Sequence, residues 1–353
     1  MTRARRGLGA VAGVAVLAAA LTGCQFVGDV VEGQRLSSER LAADSALRQL
    51  TAELADVDQV ASAVYDFDAG DVASTPSLAV EFTGAGFAAW HEVASRIEVA
   101  GRTDALRDHP VSVGFASPTV GSSFDSQYGA PWLSEDALAI AADAATAFAG
   151  GHAMVSGASE TSAFITVDVD EAADDLLFRV ADDPLLLQLA ERARVGQHWL
   201  SLSTDGLEIT GTPSPELLSW AHGVLASGVP ALVMAAEPAE PQDEWVTVSL
   251  ASGDQGSSIS ASWSGAAEPG AGGSAWEGFV AAVRAGPVGS ADGCVPVFLS
   301  FSWPGLGSSA SVAATCGDPG PAPGDPDRPS LTVLRDALAA EGVVPEDLGF
   351  VLS

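Results

Sequence analysis

Residues 294–316, CVPVFLSFSWPGLGSSASVAATC, contain two runs of strand-forming residues separated by a turn. The turn, Trp303-Pro-Gly-Leu-Gly307, has the Gly and Pro composition of a tight chain reversal, so the stretch predicts a β-hairpin. A hairpin folded about Gly305 pairs each residue with the one equally far along the other strand. This register places Cys294 directly opposite Cys316.

Strand and helix patterns continue on both sides of this hairpin. From Ser258 the predicted order is strand, helix, strand, strand, helix, strand, and the same order can be traced over residues 111–203. This is the order of the ferredoxin-like, split βαβ motif. We therefore predict an α+β fold of tandem ferredoxin-like units, with mixed or antiparallel sheets and helices on one face.

Loop-rich segments indicate where these units begin and end. The residues around Pro118–Pro131 and the Pro- and acid-rich segment Glu237–Glu244 are the candidate boundaries. The predicted organisation is a signal peptide at 1–23, a tether at 24–36, and α+β units at 37–120, 121–236 and 244–353.

The first 24 residues have the layout of a bacterial secretion signal. Three arginines precede an uncharged run, Leu8 to Leu21, that is short for a membrane span. The run ends in Leu21-Thr22-Gly23-Cys24, which resembles the lipobox of bacterial lipoproteins. The resemblance implies diacylglycerol transfer to the Cys24 thiol, cleavage before Cys24, and a lipid anchor on the extracytoplasmic face of the cell membrane.

Two features of this segment stay open. An ordinary signal peptide or an uncleaved anchor helix is the alternative to a lipoprotein signal. The pair Arg5-Arg6 leaves twin-arginine export open beside the general secretion route. In either case the body of the protein is expected outside the cytoplasm.

With Cys24 lipidated, two cysteines remain in an exported protein. Such leftover pairs are usually disulfide-bonded, and the hairpin register brings Cys294 and Cys316 within reach of each other. We predict a structural disulfide between them. Two free buried thiols are the alternative, and a metal site is less favoured because no histidine lies nearby.

The composition excludes some partners. The chain has 353 residues, 46 acidic and 15 basic, all of the basic ones arginine, for a net charge of −31. Such a surface repels nucleic acid and anionic lipid headgroups. Lysine-free, Gly-rich composition is typical of GC-rich genomes such as those of actinobacteria. The predicted partners are the membrane, through the lipid anchor, and an unknown envelope protein or small ligand.

No catalytic or cofactor motif is found. Gly-x-Ser-x-Gly and the Walker lysine are absent, and His91-Glu92 lacks the second histidine of the zinc-protease motif. A Ser/His/Asp triad dispersed along the chain stays open. We predict a non-enzymatic protein with no catalytic residues and no cofactor.

Two acidic clusters are candidate calcium sites. Asp66, Asp68 and Asp71 form the first, and Asp168 and Asp170 belong to the second. Calcium needs several oxygens converging in one loop, and neither cluster completes an EF-hand. Solvated turns or helix N-termini are the favoured interpretation.

The tryptophans at strand spacing are interpreted as core residues, with stacking on sugars as the alternative. Trp303, beside Pro304 at the predicted hairpin tip, is the exception and is predicted as an exposed contact.

Three function classes follow. The favoured one is a non-enzymatic interaction or scaffold module. The alternative is a ligand-binding lipoprotein for a small molecule, glycan or lipid, which a pocket lined by tryptophan would favour. The third, an envelope hydrolase, would need a clustered catalytic set.

Overall fold

The computed structural model describes residues 35–126, 133–157, 162–204, 206–226, 245–253, 256–265, 268–271, 273–290, 293–303, 308–314 and 329–352. Cys24 and the other lipobox residues, the Glu237–Glu244 boundary and Cys316 lie outside these ranges. The lipid anchor and the disulfide therefore stay predictions.

Within these ranges the fold is mixed α/β, with eight α-helices and a mixed sheet of thirteen strands. The helices are α1 (35–55), α2 (Phe87–Gly101), α3 (Glu135–Thr146), α4 (Ala173–Asp182), α5 (Pro184–Val195), α6 (Pro215–Ala226), α7 (Ser274–Ala285) and α8 (Pro329–Ala340). The strands are β1 (Val60–Asp66), β2 (Ser77–Phe82), β3 (Ser112–Ala116), β4 (Val120–Asp125), β5 (His152–Gly157), β6 (Ala163–Asp168), β7 (Trp199–Thr204), β8 (Leu207–Thr210), β9 (Trp245–Gly253), β10 (Gly256–Ser264), β11 (Val288–Ser290), β12 (Gly293–Val295), β13 (Val297–Trp303), β14 (Ser308–Ala314) and β15 (Val351–Leu352). None of the helices described here has the length and apolarity needed to cross a bilayer.

Along the chain, β-hairpins alternate with one or two helices. The hairpins β5–β6, β7–β8, β9–β10 and β13–β14 are antiparallel. The second strand of each hairpin pairs in parallel with the first strand of the next, as in β6–β7, β8–β9 and β10–β13. Parallel neighbours need a crossover connection, which the intervening helices supply. The predicted mixture of helices with a mixed sheet is confirmed.

The tandem ferredoxin-like units are not confirmed. The predicted order from Ser258 is present as β10, α7, β13, β14, α8 and β15, with the small β11–β12 sheet added. In a split βαβ motif another strand separates the parallel pair. Here β10 and β13 are direct neighbours, with Ile259 opposite Val297.

The chain folds into two compact units. Of the described residues, the first comprises 35–83, 88–115 and 123–126, and the second comprises 84–87, 116–122 and those from 133 onward. The predicted units at 121–236 and 244–353 contribute mainly to this second unit.

An aromatic cluster forms the core of the first unit. Trp90 of α2 is fully buried and stacks on Phe82 of β2 with 4.9 Å between ring centroids. Phe115 of β3 contacts both rings edge-on, at 5.1 and 5.4 Å. Val93 and Ile97 are buried on the same side of α2, three and seven residues beyond Trp90. This helical period is what directs α2 onto the strands.

The Arg40 guanidinium binds the loop that carries the first acidic cluster. It donates to the carbonyl oxygens of Asp68 (2.7 Å), Ala69 (3.2 Å), Ser74 (3.0 Å) and Asp71. The side chain is only 8% exposed. Because these carbonyls already surround a cation, the candidate calcium site at Asp66, Asp68 and Asp71 is not assembled, and the favoured interpretation of a turn fits the structure. The Asp68 and Asp71 carboxylates instead accept backbone N–H groups two residues onward, as turn residues do.

Replacing Arg40 by alanine is expected to lower the free energy of unfolding by about 2–3 kcal/mol, because four partly buried carbonyl oxygens lose a charged donor. Urea denaturation measures the loss, and amide exchange should accelerate across residues 68–74. Arg40→Lys should recover only part of the loss, since one ammonium cannot span the four acceptors. Arg48→Ala, which removes an exposed arginine from an i,i+4 pair with Asp44, is the matched control and should change stability by less than about 1 kcal/mol. Equal stability of the Arg40→Ala and Arg48→Ala variants would contradict the role given to Arg40.

The hairpin of residues 294–316 is present, but its register differs from the prediction by one residue. Val297 lies opposite Ala314, whereas folding about Gly305 would place it opposite Ala313. Four residues, 304–307, therefore separate the paired ends of β13 and β14, whereas the predicted register left three. The predicted register is wrong, although the predicted hairpin is correct.

The Cys294 backbone does not belong to this ladder. Pro296 has no N–H to donate, and the chain before it pairs elsewhere, with Cys294 opposite Gly289 in the separate β11–β12 sheet. The facing arrangement that motivated the disulfide is therefore not the one observed. The prediction of a disulfide between Cys294 and Cys316 is then supported only by the expected extracytoplasmic location and by the number of cysteines.

Trp303 is buried rather than exposed, with 2% of its surface accessible. Along β13 the side chains alternate, and Trp303 falls on the buried side with Phe301, whose ring lies 6.1 Å away. The strand period of two decides its direction, not its position beside Pro304. The prediction that Trp303 is a surface contact is therefore wrong.

Candidate functional site

A groove of about 650 Å³ lies in the second unit, where β7 begins and β8 and β9 end. The last turn of α5 and the residues after it form one wall. The lining side chains and backbone come from Ser162, Ala190, Ala193, Arg194, Gln197, His198, Trp199, Leu200, Thr210, Gly211, Thr212, Ser252 and Gly253. Four separate chain segments thus meet at one edge of the sheet.

The groove has little net charge, although the chain carries −31. Among the described residues that line it there is no carboxylate, and Arg194 is the one full cation. Arg194 donates to both carboxylate oxygens of Glu191, at 2.7 and 2.8 Å, so that charge is largely balanced. Hydroxyl groups and backbone supply most of the remaining polarity. Such a lining suits an uncharged polar ligand better than an ion.

A half-exposed aromatic pair stands at the groove. Trp199 and Phe164 face each other across β7 and β6, with 4.8 Å between ring centroids and 28° between ring planes. They are 46% and 44% exposed. Phe164 covers one face of the indole. Trp199 and Thr210, which lies on the neighbouring strand β8, both line the groove.

The backbone is strained at the C-terminal end of α5, where the chain turns toward β7 beside the groove. The N–H of His198 donates to Ala193 (2.7 Å) and that of Gln197 to Arg194 (3.1 Å), the two bonds of a Schellman motif. Gln197 has a φ of 60°, at the position where glycine is usual. A non-glycine residue costs about 1–2 kcal/mol there. Strain of this kind concentrates at functional sites, and Gln197 lines the groove.

His198 is held as a hydrogen-bond donor. Its ring is 9% exposed, and Nδ1 accepts the backbone N–H of Ala163 at 3.2 Å. A neutral imidazole that accepts at Nδ1 carries its hydrogen on Nε2. Among the described residues nothing accepts that hydrogen. Burial lowers the pKa of His198 below 6.5, and the Asp136 carboxylate opposes this in part, so the ring is neutral at pH 7.

The lowered pKa of His198 predicts that stability falls with acidification. The unfolded chain binds the proton more readily, so the contribution of His198 is complete above about pH 6.5 and is lost as the pH falls through the folded-state value. In His198→Asn, whose Oδ1 keeps an acceptor for the Ala163 N–H, this part of the pH dependence should disappear. NMR titration of the ring protons gives the pKa directly. A value above 6.5 would contradict the assignment.

This arrangement does not provide a general base. Nδ1 of His198 is occupied by a backbone donor, and Nε2 carries the hydrogen, so neither nitrogen can take a proton from a serine hydroxyl without breaking the observed bond. What the ring can do is donate to a ligand oxygen.

The second acidic cluster is also not assembled into a metal site. Asp168 ends β6 at an exposed position. The neighbouring Glu171 pairs with Arg179, which also contacts Asp183 at 3.3 Å. Over the ranges that the structure describes, no three His, Cys, Asp or Glu side chains converge closely enough to hold a metal.

None of the predicted site residues within the described ranges lines the groove. Sequence reasoning placed Trp199 in a strand and offered sugar stacking only as a general alternative for strand tryptophans. The available signal was local: Trp199 and Phe164 occupy the outward positions of strands whose inward positions are aliphatic. No protein-family profile matches this chain, and no curated protein or solved structure shows significant similarity to it.

Proposed function

We propose that this chain is a non-enzymatic lipoprotein of the extracytoplasmic membrane face that binds a neutral sugar in the groove of its second unit. The observation that carries the proposal is the half-exposed Trp199, stacked on Phe164, in a groove whose described lining holds no carboxylate. This favours the ligand-binding alternative over a scaffold module.

The chemistry of the lining matches a sugar ring. A pyranose has an apolar C–H face, which packs on an aromatic ring, and a rim of hydroxyl groups. The rim would meet the Nε2–H of His198 and the hydroxyl of Thr210, which both belong to the groove lining. Phe164 fixes the indole plane in advance, which reduces the ordering cost of binding.

The anchor at Cys24 and the extracytoplasmic location are part of the same proposal. They rest on the resemblance of residues 21–24 to a lipobox. An envelope binding protein would meet glycans at that location.

Calorimetric titration with cellobiose, maltose and chitobiose tests the proposal. Saturable binding of at least one of these neutral disaccharides is expected, and His198→Asn should weaken it about threefold to tenfold by removing one donor. The full chain is used in a sugar-free detergent. Absence of binding for all three at millimolar concentration would overturn the proposal.

A further inference from the structure

Gly196, the residue after α5, leaves a gap between two polar side chains. A Cβ placed on Gly196 would lie 2.9 Å from Oδ2 of Asp136 and 3.1 Å from Nε2 of His198. These two atoms are therefore no more than about 6 Å apart. Asp136 belongs to the first turn of α3, and His198 belongs to the lining of the groove. The gap therefore adjoins the groove.

The backbone does not require a glycine at this position. Gly196 has a φ of −75° and a ψ of 0°, which any residue can adopt. The next residue, Gln197, has a φ of 60°, where glycine is usual. Glycine thus stands one residue before the position that favours it. Because backbone conformation does not account for Gly196, we attribute it to the space that a side chain would fill.

A donor and an acceptor face this gap. His198 carries its hydrogen on Nε2, since Nδ1 accepts the backbone N–H of Ala163. The ring is 9% exposed, and its Nε2–H has no acceptor among the residues that the structure describes. Oδ1 of Asp136 accepts from Arg192 at 3.2 Å, whereas Oδ2 receives no hydrogen bond from the described part of the chain. The buried ring and the carboxylate thus each keep one unused hydrogen-bonding atom beside the same gap.

The gap has the dimensions for a single bridging oxygen. An oxygen that accepts an N–H and donates to a carboxylate holds its two partners about 4.5–5 Å apart. This separation lies within the limit set at Gly196. A hydroxyl group both accepts and donates, whereas an ether oxygen only accepts. An acidic group would meet the charge of Asp136.

We propose that one hydroxyl group of the bound sugar lies between His198 and Asp136, accepting the Nε2 hydrogen and donating to Oδ2. The inference rests on the proposed sugar binding at Trp199. Arg192 fixes the carboxylate in advance, because it is itself held by Asp143 at 2.8 Å. The site then recognises one free hydroxyl of a neutral sugar and rejects the same sugar with an ether or an acidic group at that position.

Calorimetric titration of the full chain with modified sugars tests this inference. The probes are the monodeoxy and mono-O-methyl derivatives of whichever disaccharide binds among cellobiose, maltose and chitobiose. At one hydroxyl position, both derivatives should bind at least tenfold more weakly than the parent sugar, because the protein groups lose their partner. The methyl ether keeps an accepting oxygen, so its loss reports the bond donated to Asp136.

Two variants and a matched control assign the effect to the gap. Asp136→Ala should weaken binding of the parent sugar about tenfold and abolish the discrimination against its methyl ether. Gly196→Ala, whose Cβ would contact only side-chain atoms, should weaken binding similarly by filling the gap. Asp143→Ala is the control and should leave the affinity unchanged. Asp143 also binds Arg192 and is 55% exposed against 52% for Asp136, but it lies two turns further along α3.

The outcomes separate this inference from the proposed function. Equal responses at every hydroxyl position, or equal affinities of Asp136→Ala and Asp143→Ala, would overturn the bridging hydroxyl and leave the groove as a sugar site at Trp199. Absence of binding for all three disaccharides would overturn the proposed function, and the bridging hydroxyl with it.

Discussion

Replacing Gly211 by alanine is expected to lower the free energy of unfolding of the second unit by about 2–5 kcal/mol. Gly211 has a φ of 73°, and a Cβ placed on it would overlap the backbone carbonyl oxygen of Ser252. Its own N–H donates to the Leu200 carbonyl at 3.0 Å. The residue is thus fixed between β7 and β9 and cannot withdraw. Urea denaturation followed by circular dichroism measures the change.

Gly223→Ala is the matched control for this prediction. Gly223 lies within α6, and a Cβ there meets nothing within 4 Å. Alanine in a helix interior should leave stability unchanged or raise it by about 0.5–1 kcal/mol. If Gly211→Ala were as stable as Gly223→Ala, the close approach of the two segments that shapes the groove would be wrong.

Replacing Trp199 by alanine is expected to weaken sugar binding thirtyfold or more, which corresponds to about 2 kcal/mol for one buried stacking face. Trp199 is half-exposed, so the variant should fold with little loss of stability. Calorimetric titration measures the affinity. Trp199→Phe should show an intermediate loss, because the smaller ring keeps part of the stacking surface.

Phe298→Ala provides the control for Trp199→Ala. Phe298 is also a half-exposed aromatic on the same face of the sheet, but it lies on β13, away from the groove. Its removal should leave the affinity unchanged. Equal losses in the two variants, or none in Trp199→Ala, would show that the sugar does not stack on Trp199.

The local patterns in the sequence predicted most elements of the fold. The helix around Trp90 and the hairpin of β7 and β8 are examples, because the signals that predict them lie within a few neighbouring residues. Strand pairing between hairpins is not local. The ferredoxin-like order and the observed order share the same elements, and they differ only in which strands are neighbours.

Predicting the candidate site from the sequence was harder than predicting the fold, because the site is built from contacts between residues far apart in the chain. Arg40 reaches carbonyls that are 28 to 34 residues away, so the first acidic cluster could not be interpreted without it. The groove combines segments near residues 162, 198, 211 and 252. A strand period places Trp303 inward and Trp199 outward, but only the assembled sheet shows which side is covered.

The most direct test of the groove as a sugar site is an NMR titration of the tryptophan indole N–H resonances. The chain has eight tryptophans, and the Trp199→Phe variant identifies the resonance of Trp199. With a saturating oligosaccharide, we predict a shift of the Trp199 resonance, while those of the buried Trp90 and Trp263 stay in place. A ligand that binds without moving the Trp199 resonance would contradict the account.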